Sequence, residues 1–183
     1  MRILAINGSP HRNGSGAALI AAVLAAARQN GRSTESINLY DKKINGCLAC
    51  NKCKDATPEC VVKDDMAAIA RKIIAADAVV ISTPVYMGHV TGPMKTFLDR
   101  WCRFFNSGFN IRHLRGKKLV TIVTSGAPAT TYASVTRYLT GLLSGFFGMK
   151  LAGSLQAGGL SGPSAVHKQK ALVKRAEKIG SAL

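Results

Sequence analysis

Five short runs rich in β-branched and aliphatic residues recur along this chain, each followed by a longer stretch with helical character. Arg2–Asn7, Ser33–Tyr40, Ala78–Thr83, Lys118–Thr124 and Lys150–Gln156 read as strands. Ala17–Asn30, Asp64–Ala76, Pro93–Phe105, Thr131–Phe147 and Ser164–Ala182 read as helices. Leu19, Val23 and Ala26 line one face of the first helix, with Ser15 as its N-cap and Gly31 as its stop. Met66, Ile69 and Ile73 do the same in the second. Ala78–Thr83 shows no polar alternation in its apolar part, as expected of a strand buried on both faces. Right-handed crossovers put a strict β-α alternation into an open parallel sheet with helices on both sides, an α/β fold. In such sheets ligands bind beyond the carboxyl ends of strands, at the switch in strand order.

At 183 residues, with 47% apolar and 19% charged residues, the chain fits one globular domain over 1–183. Its longest apolar stretch, Ala17 to Ala27, is eleven residues, short of the roughly 20 a membrane helix needs. Met1–Ile6 lacks signal-peptide anatomy, so a cytoplasmic, non-membrane protein is expected. The net charge of +16 is uneven: residues 100–176 hold 12 Lys/Arg and no acid. That field attracts anions such as phosphorylated cofactors or an acidic partner. Aromatics, 6% of the chain, do not interleave with the basic runs Arg112–Lys118 and Lys168–Lys178, which argues against nucleic acid.

Three predicted strand ends carry small or polar loops. Gly8-Ser9-Pro10-His11-Arg12-Asn13-Gly14-Ser15-Gly16 opens directly into the first helix. Glycines allow close backbone approach there, and a helix N-terminus favours an anion. The spacing is neither a G-x-G-x-x-G fingerprint nor a P-loop. Thr83-Pro84-Val85-Tyr86-Met87-Gly88 offers apolar surface and open backbone groups for a planar ring. Thr124-Ser125-Gly126-Ala127-Pro128 adds a third small loop at the same edge.

Between the second strand and the second helix lies Cys47-x2-Cys50-x2-Cys53-x6-Cys60, an insert spanning about 45–62. Three thiolates at three-residue spacing can wrap a [4Fe–4S] cubane, with the fourth closing it. The same four cysteines suit a single zinc ion, or remain free or redox-active without metal. Lys42, Lys43, Lys52, Lys54 and Lys63 would offset thiolate charge. Cys102, beside Trp101 and Phe105, reads as helix packing.

Together, GSPHRNGSG, the TPVYMG loop and GPMKTFLDRW resemble the flavodoxin-like, NADPH-dependent FMN reductase superfamily over roughly residues 1–130. The cysteine cluster resembles its iron–sulfur flavoprotein branch. The resemblance implies a doubly wound sandwich with a five-stranded parallel sheet in the order 2-1-3-4-5. It also implies FMN phosphate contacts from Ser9, His11, Arg12, Asn13, Ser15 and Gly16. Pro84, Val85, Tyr86, Met87 and Gly88 would lie along the isoalloxazine, with Ser125 and Gly126 closing the far side. The chain departs from the family in having His11 where Arg is usual and Ser15-Gly16 where Asn precedes Thr or Ser; Arg12 is the candidate replacement guanidinium.

The implied function is an FMN-dependent oxidoreductase passing electrons between NAD(P)H or an acidic carrier such as ferredoxin, FMN and a [4Fe–4S] cluster held by Cys47, Cys50, Cys53 and Cys60. A homodimer or homotetramer is implied as well. The alternatives are a cluster-free NAD(P)H-dependent FMN or quinone reductase, and a cysteine-based metal or redox sensor on the same scaffold. No side-chain acid or base stands out as catalytic, because the flavin carries the chemistry. His89 reads as an exposed loop residue next to the flavin loop, and Asp99–Arg100 as a local or intersubunit ion pair.

Overall fold

The computed structural model describes residues 1–54 and 59–183; residues 55–58, in the spacer between Cys53 and Cys60, lie outside them. Its strands are β1 (Arg2–Asn7), β2 (Ser33–Asn38), β3 (Ala78–Pro84), β4 (Lys118–Thr124) and β5 (Lys150–Ala157). They form one sheet in the order β2-β1-β3-β4-β5, every neighbouring pair parallel. Ile6 sits opposite Ile37 on one side and Ile81 on the other, and Ile81 in turn faces Thr121. The order reverses between β1 and β3, which creates the switch point expected to receive a ligand.

Alternation along each strand feeds two cores. On one face Leu4, Ile6, Val79, Ile81, Leu119 and Val123 pack against α2 (Met66–Ala75), α3 (Gly92–Asp99) and α4 (Ala133–Thr140). On the other, Ile3, Ala5, Val80, Val120 and Ile122 meet α1 (Ser15–Gln29), α5 (Pro163–Lys168) and α6 (Lys170–Ala182). Trp101 is fully buried in the first core, with Phe97, Phe104 and Phe147 edge-on at ring centroid distances of 5.6, 5.4 and 5.3 Å.

Element ends depart from the sequence expectations for local reasons. β2 stops at Asn38, whose Oδ1 accepts from the Tyr40 amide at 2.9 Å and turns the chain into a 3₁₀ turn. Helix α3 tightens after Asp99 into a 3₁₀ turn over Arg100–Phe104, which buries Arg100, Trp101 and Phe104 together. The expected helix 131–147 is a 3₁₀ turn, then α4, then a wider π-type turn over Gly141–Phe146. Thr140 Oγ1 bonds back to the carbonyls of Thr136 and Arg137 at that junction, which loosens the regular ladder. The C-terminal helix breaks at Gln169, whose side-chain amide donates to Gly158 O at 3.3 Å. Ser15 is not the N-cap of α1: Gly14 holds that position and supplies no side-chain bond.

Helices α1 and α6 are in close contact at Gly180, where an added Cβ would run into the Val23 carbonyl oxygen. A methyl there must separate the two helices. Gly180→Ala is expected to lower the unfolding free energy by about 1–3 kcal/mol, the usual cost of overpacking. Urea denaturation checks this, and an unchanged midpoint would contradict it.

Candidate flavin crevice and cysteine segment

Because all strands run the same way, every βα connection leaves the sheet at one edge. The loops after β1, β3 and β4 meet there around a crevice of about 650 Å³. Ser9, His11, Arg12, Asn13, Ser15 and Gly16 line it together with Pro84, Val85, Tyr86, Ser125 and Gly126. Eleven of the thirteen residues expected to touch a flavin are therefore gathered at one place.

The first loop is held in shape from within. Asn7 Oδ1 accepts from the Ser9 amide at 3.1 Å, and Ser9 Oγ accepts from the His11 amide at 3.1 Å. Thr91, the N-cap of α3, donates its hydroxyl to Gly8 O at 2.7 Å and so ties that loop to the next βα unit. Gly16 is needed because a Cβ would lie 2.7 Å from Ser82 Oγ. That oxygen is buried with no hydrogen-bond partner among the described residues. With no side chain capping α1, its first amides point at the crevice as donors to an anion. The cradle of small residues, free amides and an apolar wall fits a phosphorylated planar cofactor.

Met87 and Gly88 do not line the crevice. Tyr86 and His89 pair antiparallel across a two-residue turn in which both central residues have positive φ, 48° and 76°. Such a turn projects its tip outward, and Met87 is fully exposed. His89 packs its ring on Tyr138 at a centroid distance of 4.6 Å. Arg12 lies at the crevice rim, but its guanidinium also pairs with Asp41 at 2.7 Å. The structure adds Leu160, Ser161, Gly162 and Pro163, from the loop after β5, to the lining. Their sequence signal was the glycine-rich stretch directly following the fifth strand.

The cysteine segment leaves the same edge after β2. Ala49 and Asn51 both have left-handed backbone, φ 52° and 58°, so the chain turns on either side of Cys50. All five cysteines are free. Burial, followed by the neighbouring Cys60 thiol, pushes the Cys53 thiol up, with a smaller push from Cys47. Burial and then Cys47 push Cys102 up too, so Cys102 stands against the cysteine segment rather than serving only as packing. Among the described residues, no three His, Cys, Asp or Glu side chains are grouped as ligands of a single ion. A cubane presents four separate irons, and its thiolates stand farther apart than the ligands of one ion; the all-thiol donor set suits it.

Arg100 does not pair with Asp99. Asp99 takes Lys95, one turn back on α3, at 2.6 Å. Arg100 is buried and holds both oxygens of Asp64, at 2.6 and 3.2 Å. Asp64 also accepts from the amides of Asn45 at 2.9 Å and Met66 at 3.1 Å. Burial alone would raise the Asp64 carboxyl, but the hydrogen bond from Arg100 and these amides together hold it below its ordinary value. Lys54 places its ammonium 3.0 Å from the centre of the Phe105 ring, and Arg112 donates to the carbonyls of Cys53 and Lys54 at 3.1 and 3.0 Å.

A crevice at the switch point of a 2-1-3-4-5 parallel sheet, with an anion cradle and a ring-sized wall, defines a flavodoxin-like protein. The profile of the NADPH-dependent FMN reductase family matches residues 1–159, and the chain belongs to that family as an NAD(P)H-dependent flavin oxidoreductase. It is 33% identical over 139 residues to an iron-sulfur flavoprotein of Methanocaldococcus jannaschii, covering 75% of this chain and 71% of that one. A second iron-sulfur flavoprotein of the same organism is 38% identical over 126 residues, which is 69% of this chain and 62% of the relative. The fold resembles an NAD(P)H:quinone oxidoreductase of Methanothermobacter marburgensis, with a TM-score of 0.74 and 19% identity over 99% of this chain and 98% of that one. It also resembles an FMN-dependent NADH-azoreductase of Bacillus anthracis, with a TM-score of 0.73 and 18% identity over the same shares. Among the described residues no helix is long and apolar enough to cross a membrane.

Asp64→Ala leaves the Arg100 charge buried without its partner and should cost about 3–5 kcal/mol of stability. Because the folded carboxyl is held low, its contribution is complete above about pH 4 and is lost as pH falls through the depressed folded value. The variant should therefore show a smaller stability drop on acidification in urea titrations. An acid limb as steep as that of the wild type would contradict the role of this pair.

Proposed function

We propose that this protein is a cytoplasmic electron-transfer iron–sulfur flavoprotein. It would take electrons from NAD(P)H or an acidic carrier onto FMN and exchange them with a [4Fe–4S] cluster on Cys47, Cys50, Cys53 and Cys60. The observation that carries this reading is the emergence of two candidate sites on one sheet edge: the crevice of β1, β3 and β4, and a four-thiol segment after β2. The names of the relatives lend it support.

In this reading Ser9, Asn13, Ser15 and the first amides of α1 bind the phosphate, while Arg12 lends charge from the rim. Pro84, Val85 and Tyr86 shape one wall for the ring, and Ser125 and Gly126 bring backbone groups to the other. Bound FMN supplies hydride and single-electron chemistry, which lets it link a two-electron donor to a one-electron centre. The chain's part is to bind, orient and shield the ring. The positive field of residues 100–176 favours NADPH over NADH, or an acidic carrier. Assembly as a homodimer or homotetramer belongs to the same proposal.

Protein purified without oxygen should carry about four iron and four acid-labile sulfide per chain. Each of Cys47, Cys50, Cys53 and Cys60 replaced by Ser should lose that iron, whereas Cys102→Ser should keep it. Neither iron nor sulfide in protein that retains FMN would instead identify a cluster-free flavin reductase. Protein that takes up no FMN would overturn the enzyme reading. Carrier reduction should slow as salt rises; rates indifferent to salt would remove the electrostatic part.

A further inference from the structure

The neck of the cysteine segment is closed by a single buried cation. The Lys43 amide donates to Asp65 Oδ2 at 2.8 Å and the Asp65 amide returns to Lys43 O at 3.1 Å, which brings the two ends of the segment side by side. Arg100 reaches this neck from the 3₁₀ turn after α3, with its side chain only 1% exposed. Nη1 donates to Asn45 O at 2.8 Å, two residues before the first cysteine. Nη2 donates to Val62 O at 3.4 Å, two residues after the last. The same Nη2 lies 3.3 Å from Cys60 Sγ. One guanidinium thus grips both limbs of the neck, the carboxylate between them and the fourth thiol.

We propose that Arg100 is a positioning residue for Cys60, and that its hydrogen bond to the Cys60 sulfur raises the reduction potential of the centre this thiol helps to hold. The inference rests on the iron–sulfur reading above. The physical reason is charge. Uptake of one electron makes and breaks no bond but adds a negative charge shared by the ligand sulfurs, and a sulfur with more charge accepts a stronger hydrogen bond. A buried N–H donor therefore favours the reduced state, and hydrogen bonds to sulfur are among the factors that set such potentials. Burial of the Arg100 side chain strengthens the effect, because a hydrogen bond from a buried donor is electrostatically stronger than one in water. Lysine cannot substitute: it keeps the charge but lacks the planar fork that reaches Asp64 and Cys60 at once.

The test compares wild type, Arg100→Lys and Arg100→Gln, all reconstituted anaerobically with FMN, iron and sulfide. Iron and sulfide are assayed, and the midpoint potential is measured by dithionite titration followed by electron paramagnetic resonance. Iron-loaded Arg100→Lys is expected to show about a tenfold lower ratio of reduced to oxidised centre at a fixed potential, a downward shift of about 59 mV for one electron. Arg100→Gln is expected to shift further or to retain less iron while keeping its FMN. A merely structural role would change iron content without moving the potential. An iron-loaded Arg100→Lys with the wild-type potential overturns the inference and leaves the iron–sulfur reading intact. Should both variants lose iron, refilling under excess iron and sulfide decides: a lowered potential on refilling supports the role, and a wild-type one overturns it. A wild type that holds no iron under these conditions overturns both readings.

Discussion

Parallel pairing of five strands constrains everything else in this molecule. Parallel neighbours need a long crossover, so the intervening helices must cover both faces of the sheet and the strands must be apolar on both sides. The same geometry sends every connection that follows a strand to one edge. The candidate flavin crevice and the cysteine segment share that edge for this reason, although more than thirty residues separate the first loop from the first cysteine. Thr91 shows how the edge is tied together: one hydroxyl caps α3 and also fixes the loop after β1 through the Gly8 carbonyl. The loops of the site are thereby tied to one another as well as to the sheet.

The second constraint is the ion pair of Arg100 with Asp64. Burying two charges is expensive, and such pairs seldom add net stability over apolar replacements. What this one supplies is definition. Besides the carboxylate oxygens, three acceptors, Asn45 O, Val62 O and Cys60 Sγ, are gathered around a single rigid guanidinium. A segment with left-handed turns on both sides of Cys50 has little regular structure to fix its course. Its two limbs are instead referred to the first core, into which Trp101 and Phe104 on the same 3₁₀ turn are packed.

The fold was largely legible because it rests on periodicity and punctuation. Apolar runs such as AVVI and the single stripe of Met66, Ile69 and Ile73 are local patterns with local causes. Strand order followed from the resemblance to a known family, since no run of residues states its neighbour in a sheet. The errors lay where side chains compete with regular hydrogen bonding: Asn38 ends β2 early, Thr140 loosens the end of α4, and Gln169 divides the last helix. Most of the expected crevice residues did come together, because glycine and serine at strand ends serve the backbone in place. Met87 and Gly88 did not, since two successive positive φ angles turn that tip outward.

The alternation of strands and helices, the glycine-rich opening into α1 and the spacing of the four cysteines are written along the chain, because all are properties of neighbouring residues. Which distant groups meet is a matter of packing. It drew Leu160–Pro163 to the crevice, paired Asp99 with Lys95, and brought Arg100 across to Asp64 and Cys60. The physical reason is that a long side chain can choose among several partners of equal chemistry. Its choice is made by burial, which depends on how the helices pack and not on the residues beside it.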